Sequence, residues 1–148
     1  FSMKKLVLCV LLLTFFSLLG CKEKAEPALS ITISSVGETM SYDNASFTAK
    51  PNQQIELTFV NNASLDVMKH NIVFLSDETK ANEVGQQALS APNYIPDHPA
   101  IFAYSDLVGP KQKTSLSFKA PSKPGRYLYF CTFPGHYIMM KGYLVVKG

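Results

Sequence analysis

From Leu29 onward the chain alternates between apolar and polar positions in short stretches. Ile31 and Ile33 are interleaved with Thr32 and Ser34, and Phe47-Thr48-Ala49 repeats the pattern. Ile55, Leu57 and Phe59 alternate with Glu56, Thr58 and Val60; Leu116 and Phe118 do the same within Thr114 to Lys119. A period of two predicts strands with one buried face. Val67 to Leu75 predicts another strand, with His70 near its start. Its Ile72-Val73-Phe74-Leu75 run is nearly continuous, as in the core of a sandwich. Arg126 to Phe130 and Tyr143 to Val146 predict the last strands. Gly37, Tyr42-Asp43-Asn44, Pro51-Asn52, Asn61-Asn62, Pro121 and Pro124-Gly125 supply turn chemistry between these stretches.

One segment breaks the period. Thr79 to Ala91 predicts a helix, with Thr79 as cap, Glu83 in the early turns, and Val84, Ala88 and Leu89 on one face. Gly85 weakens it and Pro92 stops it. Ala91 to Pro110, with Pro92, Pro96, Pro99 and Pro110, reads as a long irregular connection. Many short strands, frequent turns and one short helix in an insertion predict an all-β fold, a Greek-key β-sandwich or barrel. A parallel βαβ arrangement is disfavoured because only one helical segment exists.

The N-terminus has a different texture. Met3 is the expected start, Lys4 and Lys5 form a positive region, and Leu6 to Leu19 is apolar nearly throughout. The run falls short of the about 20 residues a membrane span needs. Charge, length and the small-residue ending predict a signal peptide over residues 1–20. Leu18-Leu19-Gly20-Cys21 resembles a bacterial lipobox, which implies that Cys21 is lipidated and begins the mature chain. Acyl chains contribute about 0.8 kcal/mol per buried methylene, so several anchor stably. Residues 21–29 then form a lipidated, polar tether, which at roughly 3.3 Å per residue reaches about 30 Å. The folded domain is expected over residues 30–148, tied to a membrane on its extracytoplasmic side, periplasmic or at the cell surface.

Cysteine usage sharpens this. Of the 3 cysteines, Cys9 lies in the apolar run and Cys21 carries the lipid, which leaves Cys131 alone. An unpaired thiol in an oxidising compartment needs protection, by metal ligation or by burial as an inert core thiol. Charge adds little: with Lys4 and Lys5 set aside from 14 basic residues, the remainder nearly balances 11 acidic ones. No basic run with interleaved aromatics points to nucleic acid.

The chemistry is concentrated in Cys131-Thr132-Phe133-Pro134-Gly135-His136-Tyr137-Ile138-Met139-Met140. A thiolate, an imidazole and thioethers in one stretch match most of a mononuclear electron-transfer copper site, which takes two His and one Cys with a weak axial Met. Pro134-Gly135 makes a tight turn that folds His136 back beside Cys131. Met139 or Met140 supplies the thioether. The second His must come from elsewhere, from His70 or His98. A lone His on a strand such as that of His70 is usually a core or surface residue, so its spacing alone does not decide the matter.

Met68-Lys69-His70-Asn71, taken with Cys131-Thr132-Phe133-Pro134-Gly135-His136 and Met140-Lys141-Gly142, closely resembles the azurins and auracyanins, blue copper proteins of the cupredoxin family. The likeness runs from about Leu29 to Lys147 and is sharpest at these motifs. It implies an eight-stranded sandwich with one type 1 copper at one end and the helix on an outer flap. It also implies that His70, Cys131 and His136 are equatorial ligands and Met140 the axial one. Asn71 would tie the His70 strand to the Cys131 loop through Thr132, and the Phe133 N–H would bond the Cys131 sulfur. Tyr127 matches a tyrosine at the same offset in the family. The azurins have Gly where Lys69 stands; that residue's carbonyl approaches the copper there, and the Lys69 carbonyl is the counterpart here. The azurin disulfide is absent.

The family implies a monomeric one-electron carrier and not an enzyme, because four protein ligands leave no open position for substrate. The electron is expected to leave by the His136 edge, through an apolar patch of Val67, Met68, Phe133, Pro134, Ile138 and Met139; core packing is the other reading of these residues. The implied partners are redox proteins such as a c-type cytochrome or a terminal oxidase or reductase. A lipoprotein that binds and delivers copper is the alternative. A metal-free adhesive sandwich and a copper nitrite reductase are weaker readings, the second because the 3 His of the chain leave none for a second copper. His98 is expected as an exposed loop residue, and Lys111 and Lys113 as part of a solvated face.

Overall fold

A computed structural model gives the fold and describes residues 26–148. The signal-peptide and Cys21 lipidation readings lie outside the described residues. No helix among the described residues is long and apolar enough to cross a membrane. The strands are β1 (Leu29–Ser34), β2 (Ser46–Ala49), β3 (Gln54–Val60), β4 (Val73–Leu75), β5 (Ile101–Tyr104), β6 (Lys113–Lys119), β7 (Gly125–Phe130) and β8 (Lys141–Val146), with helix α1 (Ala81–Ala88) between β4 and β5. They form a 3-stranded sheet in the order β1-β3-β6 and a 5-stranded sheet in the order β2-β8-β7-β4-β5. β1 runs parallel to β3 and β2 parallel to β8; the other pairs are antiparallel. This is the expected β-sandwich.

Alternation decides what faces inward. Ile55, Leu57 and Phe59 of β3 are buried between the sheets and pair across to Phe118, Leu116 and Thr114 of β6. Phe74 is at the centre of the core, with ring centroids of Phe118, Tyr129 and Phe102 at 4.8, 5.4 and 5.8 Å. Replacing such a buried ring by Ala costs about 3–5 kcal/mol. The apolar run Ile72–Leu75 has a plain cause: its sheet is covered on both faces. Phe74 belongs to the core between the sheets, whereas Val73 and Leu75 pack with Val84 of α1, Leu128 and Phe130.

Three local expectations are corrected. The strand expected from Val67 begins only at Val73, because residues 65–68 form a turn, with Met68 N–H donating to the Leu65 carbonyl at 2.8 Å. His70 instead forms an isolated bridge with Val108. The proline-rich connection contains strand β5, whose register against β4 shifts between Phe74 and Leu75. The helix is shorter than expected: a 3-10 turn, Glu78–Lys80, leads into α1. Asp77 caps that turn by accepting the N–H of Thr79 at 2.9 Å, so Thr79 lies inside it. Gly85 remains within α1, although Gly is about 1 kcal/mol worse than Ala in a helix interior.

Candidate metal centre

Cys131 directly follows β7, and its N–H donates to the Met140 carbonyl at 3.0 Å, so the β7–β8 pairing continues into the base of the loop. At the other end His136 N–H donates to the Phe133 carbonyl at 3.0 Å. That closes a turn with Pro134 and Gly135 at its centre. Gly135 has φ +84°, the positive value a type II turn requires at that position, and Pro134 presets the residue before it. Met139 and Met140 N–H groups then donate to the His136 carbonyl at 3.1 and 2.9 Å. This second turn buries Met140 completely in the same cluster as Cys131 and leaves Met139 64% exposed.

His70 arrives from the far side of the sequence. Its N–H donates to the Val108 carbonyl at 3.1 Å, and Val108 N–H donates back at 2.9 Å. The fully buried Asn61 pins this segment: its Nδ2 donates to the carbonyls of Met68 at 2.8 Å and Val108 at 3.0 Å. Its Oδ1 accepts from Ser35 Oγ and from Ala63 N–H. The next residue joins the two halves. Asn71 Nδ2 donates to Thr132 Oγ1 at 2.8 Å, and Thr132 N–H donates to Asn71 Oδ1 at 2.9 Å. Tyr42, read as a turn residue, is buried and donates its hydroxyl to the Asn71 carbonyl at 2.6 Å.

Three donor atoms therefore converge. Cys131 Sγ stands 3.8 Å from His70 Nδ1 and 3.8 Å from His136 Nδ1, and the two nitrogens are 3.1 Å apart. All three residues are buried, and His70 Nε2 has no hydrogen-bond partner. Burial, and then the nearby His136, lowers the His70 pKa to about 4; burial also lowers that of His136. Both imidazoles are thus neutral at pH 7 and can offer a lone pair. Burial pushes the Cys131 thiol up to about 11, while the N–H groups of Asn71 and Phe133 pull it back. A thiol held protonated by burial, facing two lone pairs, is poorly matched without a cation and loses its proton to one.

The spacing fits one ion. Nitrogen and sulfur ligands about 2.0–2.3 Å from a shared metal stand roughly 3.5–3.8 Å apart in a trigonal plane. The two Cys–His separations match, and the His–His separation is slightly tighter. One thiolate, two imidazoles and a buried thioether in the same cluster are the donor set of a mononuclear copper site, not of a tetrahedral zinc site.

His98 is not part of this group. It is also not an exposed loop residue as expected: its side chain is 7% exposed. Its Nδ1 accepts the Ala100 N–H at 3.1 Å, which leaves Nε2 to meet Glu83 Oε1 at 3.2 Å, tying the connection to α1. Lys69 is exposed, and Tyr127 donates its hydroxyl to the Lys123 carbonyl at 2.7 Å. Val67 and Ile138 are 71% and 63% exposed, much as Met139 is, and Met68, Phe133 and Pro134 are half-buried. Leu65, on the same turn as Val67, adds a further exposed apolar residue that the sequence reading missed. Asn61, Tyr42 and Tyr94 were missed too. Asn61 carried a usable signal, since an Asn-Asn pair at a strand end often bonds neighbouring backbone.

The wider similarities agree with the geometry. A family model described as copper binding proteins of the plastocyanin/azurin family matches residues 29–147. Auracyanin-A of Chloroflexus aurantiacus is 37% identical over 124 residues, spanning 80% of this chain and 75% of that protein. An azurin of Pseudomonas putida is 33% identical over 99 residues, 63% of this chain and 77% of its own length. The crystal structure of dithionite-reduced auracyanin from Roseiflexus castenholzii superposes with a TM-score of 0.75 at 34% identity, over 83% of this chain and 100% of that one. The metal is copper, and this chain belongs to the plastocyanin/azurin family of copper binding proteins.

Proposed function

We propose that this protein is a membrane-tethered one-electron carrier, with His70, Cys131, His136 and Met140 holding a single type 1 copper. When bound, the copper supplies one-electron cycling between Cu(II) and Cu(I). The observation that carries the reading is the convergence of Cys131 Sγ and the two Nδ1 atoms within hydrogen-bond range, buried and held from both sides. A donor set fixed by packing and by the Asn71–Thr132 pair has little freedom to rearrange. Burial keeps water from the ligands, and the family's four-ligand set leaves no position for substrate, which argues against an enzyme.

Val67, Met68, Phe133, Pro134, Ile138 and Met139 form the patch through which a partner approaches, with the Lys69 carbonyl and charge beside it. Exposed apolar surface of this kind marks an interaction site, and small, weak interfaces suit redox encounters. A soluble c-type cytochrome or the exposed domain of a terminal oxidase or reductase fits such a surface.

The orientation of β1 supports the tether reading. Residues 26–28 lead into β1 at Leu29, and there Gln53 Nε2 donates to the Pro27 carbonyl at 2.9 Å. The 6 residues of β1 then run toward Ser35, which bonds Asn61 beside the His70 segment. At roughly 3.3 Å per residue the tether leaves about 20 Å from the metal end. A lipid on Cys21 would therefore leave the patch pointing away from the membrane.

Stopped-flow mixing of the copper-loaded protein with a reduced c-type cytochrome tests the function. Rapid, reversible one-electron exchange is the expected result. Fast loss of copper to a weak chelator, with no electron exchange, would support delivery of copper and defeat the carrier reading.

A further inference from the structure

The insertion between β4 and β5 touches the metal loop at two separate places. At one, the ring of Tyr137 lies flat on Gly85 in the middle of α1: a Cβ placed on Gly85 would come within 2.6 Å of the Tyr137 ring carbons. The Tyr137 hydroxyl reaches Asn82 Oδ1 and Gln86 Nε2, both at 3.2 Å, on either side of that glycine. At the other, the Tyr94 carbonyl accepts from Thr132 Oγ1 at 2.6 Å, and the Tyr94 ring packs edge-on against Phe133 with centroids 5.2 Å apart. Phe133 in turn packs against the His136 ring at 5.0 Å.

We infer that this insertion is a clamp on the metal loop, with Gly85 and Tyr137 as positioning residues for His136 and Met140. The inference rests on the reading that these two residues hold copper. Tyr137 lies inside the turn that Met139 and Met140 N–H close on the His136 carbonyl. Seating its ring on α1 fixes that turn, and the turn sets the directions of the imidazole and the thioether. A helix interior favours almost any residue over Gly except Pro. Here the bare backbone is what lets the ring approach, and α1 is itself packed on the sheet through Val84, which clusters with Val73, Leu75, Leu128 and Phe130.

The test separates positioning from bulk stability. Alanine is the better helix former, so without the clamp Gly85→Ala leaves the metal centre unchanged. With it, the Cβ displaces Tyr137. The copper hyperfine splitting and reduction potential shift, and copper passes to a chelator on the order of tenfold faster, the change that about 1.4 kcal/mol of lost positioning produces. In the metal-free protein, amide hydrogen exchange at Met139 and Met140 speeds up. Tyr137→Ala does the same, Tyr137→Phe stays near wild type, and Gly85→Ala/Tyr137→Ala is no worse than Tyr137→Ala alone, because both break one contact. A folded Gly85→Ala with unchanged hyperfine splitting, potential, release and exchange overturns the clamp, as does an additive double variant. If the wild type itself lacks a thiolate–copper spectrum, the copper-ligand reading falls, and the amide exchange of the metal-free variants still decides the clamp.

Discussion

The loop between β7 and β8 and the segment 68–71 reach the same buried cluster by different means. Within the loop, the closing hydrogen bonds are local: Cys131 to Met140, His136 to Phe133, Met139 and Met140 to His136. The segment carrying His70 has few bonds of its own. It is held by Asn61, by Val108, by Tyr42 from 29 residues away, and by Thr132 from 61 residues away. One half of the centre is therefore specified by its own turn chemistry, and the other by the assembled sandwich. Apart from Gly85, whose seat for Tyr137 bears on the loop, changes far from the metal in sequence should act mainly through His70, and changes inside the loop mainly through Cys131, His136 and Met140.

Breaking the link between the halves has the largest expected effect. Asn71→Ala removes both bonds to Thr132 and leaves a buried N–H without an acceptor, at a cost of about 2–4 kcal/mol. Urea unfolding of the metal-free protein measures it, and a loss well under 1 kcal/mol would mean that the halves are held independently. Asn61→Ala acts on one half only. It strips a donor from two carbonyls beside His70 and costs about 2 kcal/mol. Copper affinity should fall while the Cys131-dependent colour of the bound form persists; loss of that colour would show that the loop depends on the segment.

The halves should also separate by pH in the metal-free protein. His70 has a pKa of about 4 when folded against 6.5 for a free imidazole. Between those values the unfolded chain binds the proton and the native protein does not, so stability falls as pH drops from 6.5 toward 4. His136, shifted the same way, adds to that acid limb. Cys131 does the opposite. Its thiol stays protonated to about 11 when folded against 9.0 when free, so stability falls as pH rises through that interval. Each group contributes at most about 1.4 kcal/mol per pH unit. Cys131→Ser should remove the alkaline limb and leave the acid one, and thermal melts across pH would show it.

The smallest effect separates neighbours in the loop. Met140→Leu removes the buried thioether and should raise the reduction potential, which an axial ligand tunes. Met139→Leu, at an exposed position, should barely move it. Voltammetry of the two variants decides between them, and the reverse result would exchange their roles.

How much of this was legible follows the same division. The loop could be read because its determinants are adjacent: a strand end, Pro134-Gly135 and the donor residues. Periodicity of two likewise gave the strands that face one core. β5 was hidden because Ile101–Tyr104 lies between prolines and pairs only with the short β4, a tertiary partner. The strand around His70 starts later than its apolar residues suggest, because Val67 is exposed and Met68 closes a turn on Leu65. Tyr42 read as a turn because of Asp43 and Asn44, yet its ring packs against Phe59 and Tyr129. The roles of Gly85 and Tyr94 depend on contacts between distant segments, which no local pattern encodes.

The central claim is that two separately built segments meet to hold one copper through the Cys131 thiolate. Titrating the metal-free protein with Cu(II), while recording visible and EPR spectra, tests it most directly. An intense thiolate-to-copper band saturating at one copper per chain, with narrow hyperfine splitting, is the predicted result; Cys131→Ala should abolish both while remaining folded. A colourless protein with ordinary tetragonal copper signals, or a band that survives Cys131→Ala, would contradict it.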